Sequence, residues 1–253
     1  MNFTDTHAHL DFPQFKNDLQ KTVLNAYAKG VQKIINIGCD LQRAQKSIEI
    51  AERFENVWAT VGIHPSDIDF KLETRLIASL HKMATHPKVV GVGEIGLDYF
   101  HCKNKEAQKD ALIAQIKIAR EVDKPIVIHT REAGKDVLEI LKQENAKKVV
   151  IHCFTENQEF AEEALKRGYL LSFTGIITYP KSEDLRKVVA NVPLESMMIE
   201  TDCPFLAPQA FRGQRNEPAF VIEIAKKIAE IKGVDLEKVA EITTKNAERF
   251  FGI

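Results

Sequence analysis

The feature that most constrains this chain is an alternation that runs from end to end. Short apolar runs lie at residues 3–9, 33–39, 57–64, 89–97, 125–130, 149–155, 169–175 and 197–203. Most are rich in Val and Ile and almost continuously apolar, the pattern of parallel strands covered on both faces. Between them come amphipathic stretches, such as 14–29, 41–54, 105–121 and 131–144. There apolar residues recur every three or four positions, as in Leu112, Ile116 and Ala119, so each buries one helical face. Gly30 and Gly168 fall where helices should end. Eight such units in 253 residues predict a (β/α)8 TIM barrel. An open doubly wound sheet is the alternative. The barrel is preferred because unusual polar residues stand near the C-terminal ends of many strands rather than at one switch point. Residues 218–253 read as two or three closing helices. No Pro-, Gly- or Ser-rich linker interrupts the chain, so residues 1–253 are expected to form one domain.

Charge narrows the function. Thirty-five Lys and Arg against thirty-six Asp and Glu leave a net charge of −1. The basic footprint of a nonspecific nucleic-acid binder is missing; any attraction for phosphate must be local or supplied by metal. The four cysteines, Cys39, Cys102, Cys153 and Cys203, make no CxxC pair. No apolar run approaches the ~20 residues that span a bilayer, and the N-terminus lacks a signal-like pattern. These features predict a cytoplasmic chain with no membrane partner. Without an obvious apolar helix face left over, a monomer with no obligate protein partner is expected.

The chemistry is written in polar residues that follow apolar strand residues. His7 and His9 are one residue apart in the first run, so they share a strand face, together with Asp5. Glu94 ends the fourth run, His129 the fifth, His152 the sixth and Asp202 the eighth. Buried imidazoles and carboxylates are costly singly. Six at one barrel mouth suffice for two divalent ions with positions left for water and substrate. Candidate neighbours are Glu200, which shares the parity of Asp202, and His64 and Arg131 as phosphate contacts. Cys153 and Cys203 sit beside proposed ligands but should face away from them, so thiolate ligation is not expected.

THAHLDF, GIHP, GEIGLDY, IHTRE, HCF, ETDCPFL and the RGxRNEP pattern at Arg212–Pro218 together resemble the TatD-type metal-dependent deoxyribonucleases, within the wider amidohydrolase-like barrels. That resemblance implies a metal-dependent hydrolase of DNA, often acting as a 3′–5′ exonuclease. It implies His7, His9, Glu94 and Asp202 around one metal, and Glu94, His129 and His152 around a second, with Glu94 bridging. It implies catalysis by Asp202 with Glu94, and Mg²⁺ or Mn²⁺ for activity; the four histidines also suit Zn²⁺. Single-stranded DNA ends become the expected substrate, and Arg212 and Arg215 gain a substrate or loop-positioning role. The alternatives are a two-metal hydrolase of a small ester, lactone or amide, hydrolysis of an aminoacyl-tRNA ester, and a noncatalytic metal-binding protein.

Overall fold

The computed structural model describes residues 1–68, 73–101 and 104–253; Cys102 lies outside them. Eight parallel strands form one sheet in sequential order: β1 Phe3–Ala8, β2 Val31–Ile37, β3 Val57–Val61, β4 Val89–Asp98, β5 Ile126–Arg131, β6 Val149–Ile151, β7 Leu170–Phe173 and β8 Met197–Ile199. The sheet curls back on itself. Ala8 bridges Cys203 just past β8, while His9 N–H donates to Cys203 O and Asp202 N–H to His7 O, each at 2.8 Å. The seam of this TIM barrel therefore closes through the residues beside the proposed ligands.

Helices α1 Leu19–Ala28, α2 Leu41–Arg53, α3 Thr74–Ala84, α4 Lys105–Glu121, α5 Gly134–Gln143, α6 Gln158–Lys166 and α7 Glu183–Asn191 link the strands. Side-chain caps start several of them: Asp40 accepts from Arg43 N–H, Asn104 from Ala107 N–H and Asn157 from Phe160 N–H, filling donors a helix start leaves open. Gly30 and Gly168 have φ of 98° and 76°, left-handed values that suit glycine after a helix. The expected helix at 14–29 starts later. A 3-10 turn at Pro13–Phe15 precedes α1. The closing helices are α8 Val221–Lys232 and α9 Leu236–Phe251.

Strand alternation divides the core in two. Ile34, Ile128, Ile151 and Ile199 join the large cluster that includes helix residues such as Leu112 and Ile224. Their neighbours Ile35, Val127, Val150 and Met198 form a separate cluster with Ala247 and Phe251 of α9. These are the two faces of the barrel wall, and the second cluster fills the lumen. Two residues further along the lumen parity come His129, His152 and Glu200. The apolar floor thus carries the polar tier directly above it.

Strands six and eight are shorter than expected. Both stop after three residues, so His152 and Asp202 lie beyond the regular ladder. No helix among the described residues is long and apolar enough to cross a membrane.

Candidate metal centre

Glu94 is placed by a bulge. Val92 pairs with Ile126 and Ile95 with Ile128, so β4 spends one residue more than β5 over that interval and re-aims its side chains locally. Glycine makes this possible. At Gly96, φ 152°, an added Cβ would lie 1.9 Å from His129 O. The backbone of β4 approaches β5 too closely for any side chain there. A second irregularity falls in β1 between Asp5 and Ala8.

The result is one carboxylate among four imidazoles. Glu94 Oε1 lies 2.8 Å from His129 Nδ1, 2.8 Å from His152 Nε2 and 3.4 Å from His64 Nε2, and Oε2 lies 3.4 Å from His7 Nε2. Beside it, His7 Nε2 and His9 Nε2 are 3.2 Å apart, and Asp202 Oδ1 is 3.7 and 3.2 Å from them. The structure thus brings together all six residues expected as ligands. It also brings in His64, whose Nδ1 accepts from Ser66 N–H at 3.1 Å. The donors fall into four overlapping triads: His7, Glu94 and His152; His7, His9 and Asp202; His9, Cys39 and Glu94; His64, Glu94 and His129.

These residues fit a cation. Lone-pair atoms face one another with no Lys or Arg ion pair to Glu94 or Asp202 among the described residues. Ligands held ~2.1 Å from one ion stand about 3.0–3.5 Å apart in octahedral or tetrahedral arrangement. The spacings across the His7, His9 and Asp202 group are close to that. His7 Nδ1 has no hydrogen-bond partner among the described residues although it is fully buried.

Protonation follows from the crowding. Burial and the His152 ring, stacked on it at 3.9 Å, hold His7 below the ordinary imidazole range. Burial opposes ionisation of Glu94, yet His152, His64 and His129 outweigh it and hold the carboxyl well below its usual range. The same contest leaves Asp202 low, through His9 and His7. Burial pushes the Asp5 carboxyl up to about 8 against bonds from Thr201.

A surrounding layer aims the ligands. Glu200 Oε1 accepts from Cys153 N–H at 2.6 Å and lies 3.0 Å from His152 Nδ1; it reaches the centre through His152. Asp98 Oδ2 lies 3.3 Å from His129 Nε2 and is anchored by His101 and the backbone N–H groups of Phe100 and His101. Carboxylates behind metal-binding imidazoles fix ring orientation and tautomer. Asp5 accepts from Thr201 N–H and O–H at 2.8 and 2.6 Å, so it braces the segment between β8 and Asp202. Asp202 itself has φ 56° and Cys153 φ 45°. Such left-handed non-glycine residues cost energy and gather at functional sites.

The rim residues divide. Arg131 lines the roughly 700 Å³ cavity at the mouth, with its guanidinium 4.3 Å from the Phe100 ring centre. Arg212 stacks on Tyr179 instead. Arg215 turns away to Asp18, at 2.8 and 2.7 Å, and to Gln14 O; it clasps the last barrel loop to the first.

One placement differs from the sequence reading, and one residue of the centre was not placed by it. Cys153 was expected to face away but borders the cavity. β6 has already ended at Ile151, so strand alternation no longer governs it. The sequence reading did not place Cys39, whose Sγ lies 3.5 Å from His9 Nδ1. The lumen series Ile35, Ile37, Cys39 would have revealed it, as Glu94, Gly96, Asp98 would have revealed Asp98.

A parallel barrel whose lumen ends in imidazoles and carboxylates defines a barrel metallohydrolase. Within that class the chain belongs to the TatD related DNase family, whose model matches residues 4–252. It is 42% identical to a Bacillus subtilis protein named the uncharacterized metal-dependent hydrolase YabD, over 98% of each chain. It is 33% identical to the Citrobacter rodentium protein named 3′-5′ ssDNA/RNA exonuclease TatD, over 98% of this chain and 97% of that one. The solved TatD homologue YJJV from Escherichia coli K12 superposes with a TM-score of 0.93 at 31% identity, covering 99% of this chain and 98% of that one.

Proposed function

We propose that this chain is a divalent-metal-dependent phosphodiesterase that shortens DNA from single-stranded 3′ ends. One observation carries the reading: Glu94 stands between the His7, His9 and Asp202 group and the His129 and His152 pair. One ion would be held by His7, His9, Glu94 and Asp202, and a second by Glu94, His129 and His152. Mg²⁺ or Mn²⁺ would serve activity, with Zn²⁺ also suited to the donors. Such ions supply an acidified water and polarise a phosphoryl oxygen.

The residues do the rest. Asp202, its side chain 14% exposed, is the carboxylate of the cluster that best meets incoming water, and accepts its proton. Glu94 stays ionised and keeps the two donor groups in register. His64 and Arg131 reach toward the phosphate from the opposite wall. Support for DNA as substrate comes from the family and from the exonuclease name of the Citrobacter relative.

The test is cleavage of end-labelled single-stranded DNA by metal-stripped protein resupplied with Mg²⁺ or Mn²⁺, beside Asp202→Asn. Stepwise shortening from the 3′ end, lost in the variant and without metal, is expected. A folded, metal-loaded protein that leaves DNA intact would refute the substrate assignment, and panels of small esters, lactones and aminoacyl esters would then decide among the other barrel hydrolase reactions.

A further inference from the structure

Five large apolar side chains are exposed among the described residues: Met1, Leu24, Tyr27, Phe100 and Phe205. Two of the five stand at the C-terminal mouth. Phe205, 45% exposed, borders the cavity together with Phe12 and Arg43. Its ring meets Phe12 edge to face, with centres 5.6 Å apart at 85°. Phe12 in turn lies 4.9 Å from the His9 ring, and Arg43 places its guanidinium 4.0 Å from the Phe12 ring centre. The arrangement is a continuous aromatic step that begins on a proposed metal ligand and ends in solvent.

The step is built to stay put. Phe205 N–H donates to Asp202 O at 3.0 Å. Fully buried Asn216 donates to Thr201 O at 2.8 Å and Phe205 O at 2.5 Å. Arg43 is held by Asp11 at 3.0 Å. Phe205 thus has a fixed backbone and packs one edge on Phe12, with the His9 ring centre 6.3 Å away, yet keeps 45% of its surface open to the mouth.

We infer that Phe205, backed by Phe12 and Arg43, is a stacking platform for the nucleobase next to the cleaved phosphate. The inference rests on the phosphodiesterase reading and says how that site recognises its substrate. Alternating aromatic faces and cations match the alternating bases and phosphates of a single strand. In a duplex both faces of an interior base are covered by its neighbours, so only an unpaired or terminal base can sit on Phe205. On the opposite wall, between β4 and β5, Phe100 with Arg131 at 4.3 Å repeats the pairing and would receive the strand on the other side of the metals.

The test separates binding from cleavage. A phosphorothioate-linked single-stranded trinucleotide carrying 2-aminopurine is titrated with the full chain in Mn²⁺. Quenching reports stacking, and an abasic trinucleotide competes. Wild type should quench the base and prefer it to the abasic competitor. Phe205→Ala should weaken Kd roughly 5- to 150-fold and lose most of that preference, and Phe205→Tyr should restore both. Unchanged Kd and preference in Phe205→Ala would overturn the platform. Wild type that quenches but cleaves no DNA would sink the exonuclease reading and leave the platform standing. Wild type that binds no nucleotide would sink both.

Discussion

Cavities of nearly equal size open at the two ends of the barrel, about 680 Å³ at the N-terminal end and 700 Å³ at the C-terminal mouth. They differ in what their polar groups are doing. At the N-terminal end two lysines are committed to backbone carbonyls. Lys124 Nζ donates to Ala84 O, His86 O and Val89 O, tying the end of α3 to the start of β4. Nearby Lys88 Nζ reaches Phe54 O, Glu55 O and Val57 O. Lysines there complete open helix and loop carbonyls. At the mouth, imidazoles and carboxylates face each other instead, and no Lys or Arg pairs with Glu94 or Asp202 among the described residues. Volume does not mark a site; polar groups left for something else do.

The largest effect should come from the mouth. Glu94→Gln removes the carboxylate shared by four imidazoles. It should lower metal-dependent hydrolysis on the order of 10³-fold and also lower the melting temperature of the metal-free protein, because buried His152 and partly buried His129 lose their charged partner. Hydrolysis retained by the folded variant would remove Glu94 from the metal centre. At the other end, Phe251→Ala hollows the lumen floor. It should cost about 3–5 kcal/mol in urea unfolding with metal affinity in the folded protein unchanged. A parallel loss of affinity would show that the two ends are not independent.

Smaller effects sharpen the contrast. Asp98→Asn and Glu200→Gln act behind His129 and His152, and each should weaken metal binding about 10- to 100-fold by calorimetry. Wild-type affinity would mean that these carboxylates serve only folding. Smallest is Arg215→Met, which frees Asp18 and should cost about 0.2–1 kcal/mol at pH 7. Arg215 holds Asp18 below its usual pKa, so this contribution is present above pH ~4 and fades as pH falls through the lowered value. Unfolding of both proteins across pH should show the gap closing in acid. A gap that persists there would assign the loss to the contacts that do not titrate, the Gln14 carbonyl and the Phe15 ring beneath the guanidinium.

The barrel was legible in the sequence because parallel strands buried on both faces leave long apolar runs, and eight of them leave little choice of architecture. The six donors were legible for the same reason: each interrupts such a run. What was hidden depends on local irregularity. The bulge at Glu94 follows from backbone closeness at Gly93 and Gly96, which apolar patterning does not register. The early end of β6 puts Cys153 outside the alternation used to place it. Asp98 and Cys39 lay within reach of lumen parity. Arg215 could not be placed from its loop position, because its partner Asp18 is 197 residues away.

As a mechanical object, the rim is uneven. Glu94 rides on β4, ten residues long, at the bulge between its Val92 and Ile95 pairings with β5. His152 and Asp202 project from loops that follow three-residue strands. One jaw of the grip is a kink within a long strand, and the other two sit on short stalks. What fixes the stalks is their neighbours: Glu200 behind His152, and the His7 carbonyl that takes Asp202 N–H. The grip is set by cross-ties more than by the strands it stands on.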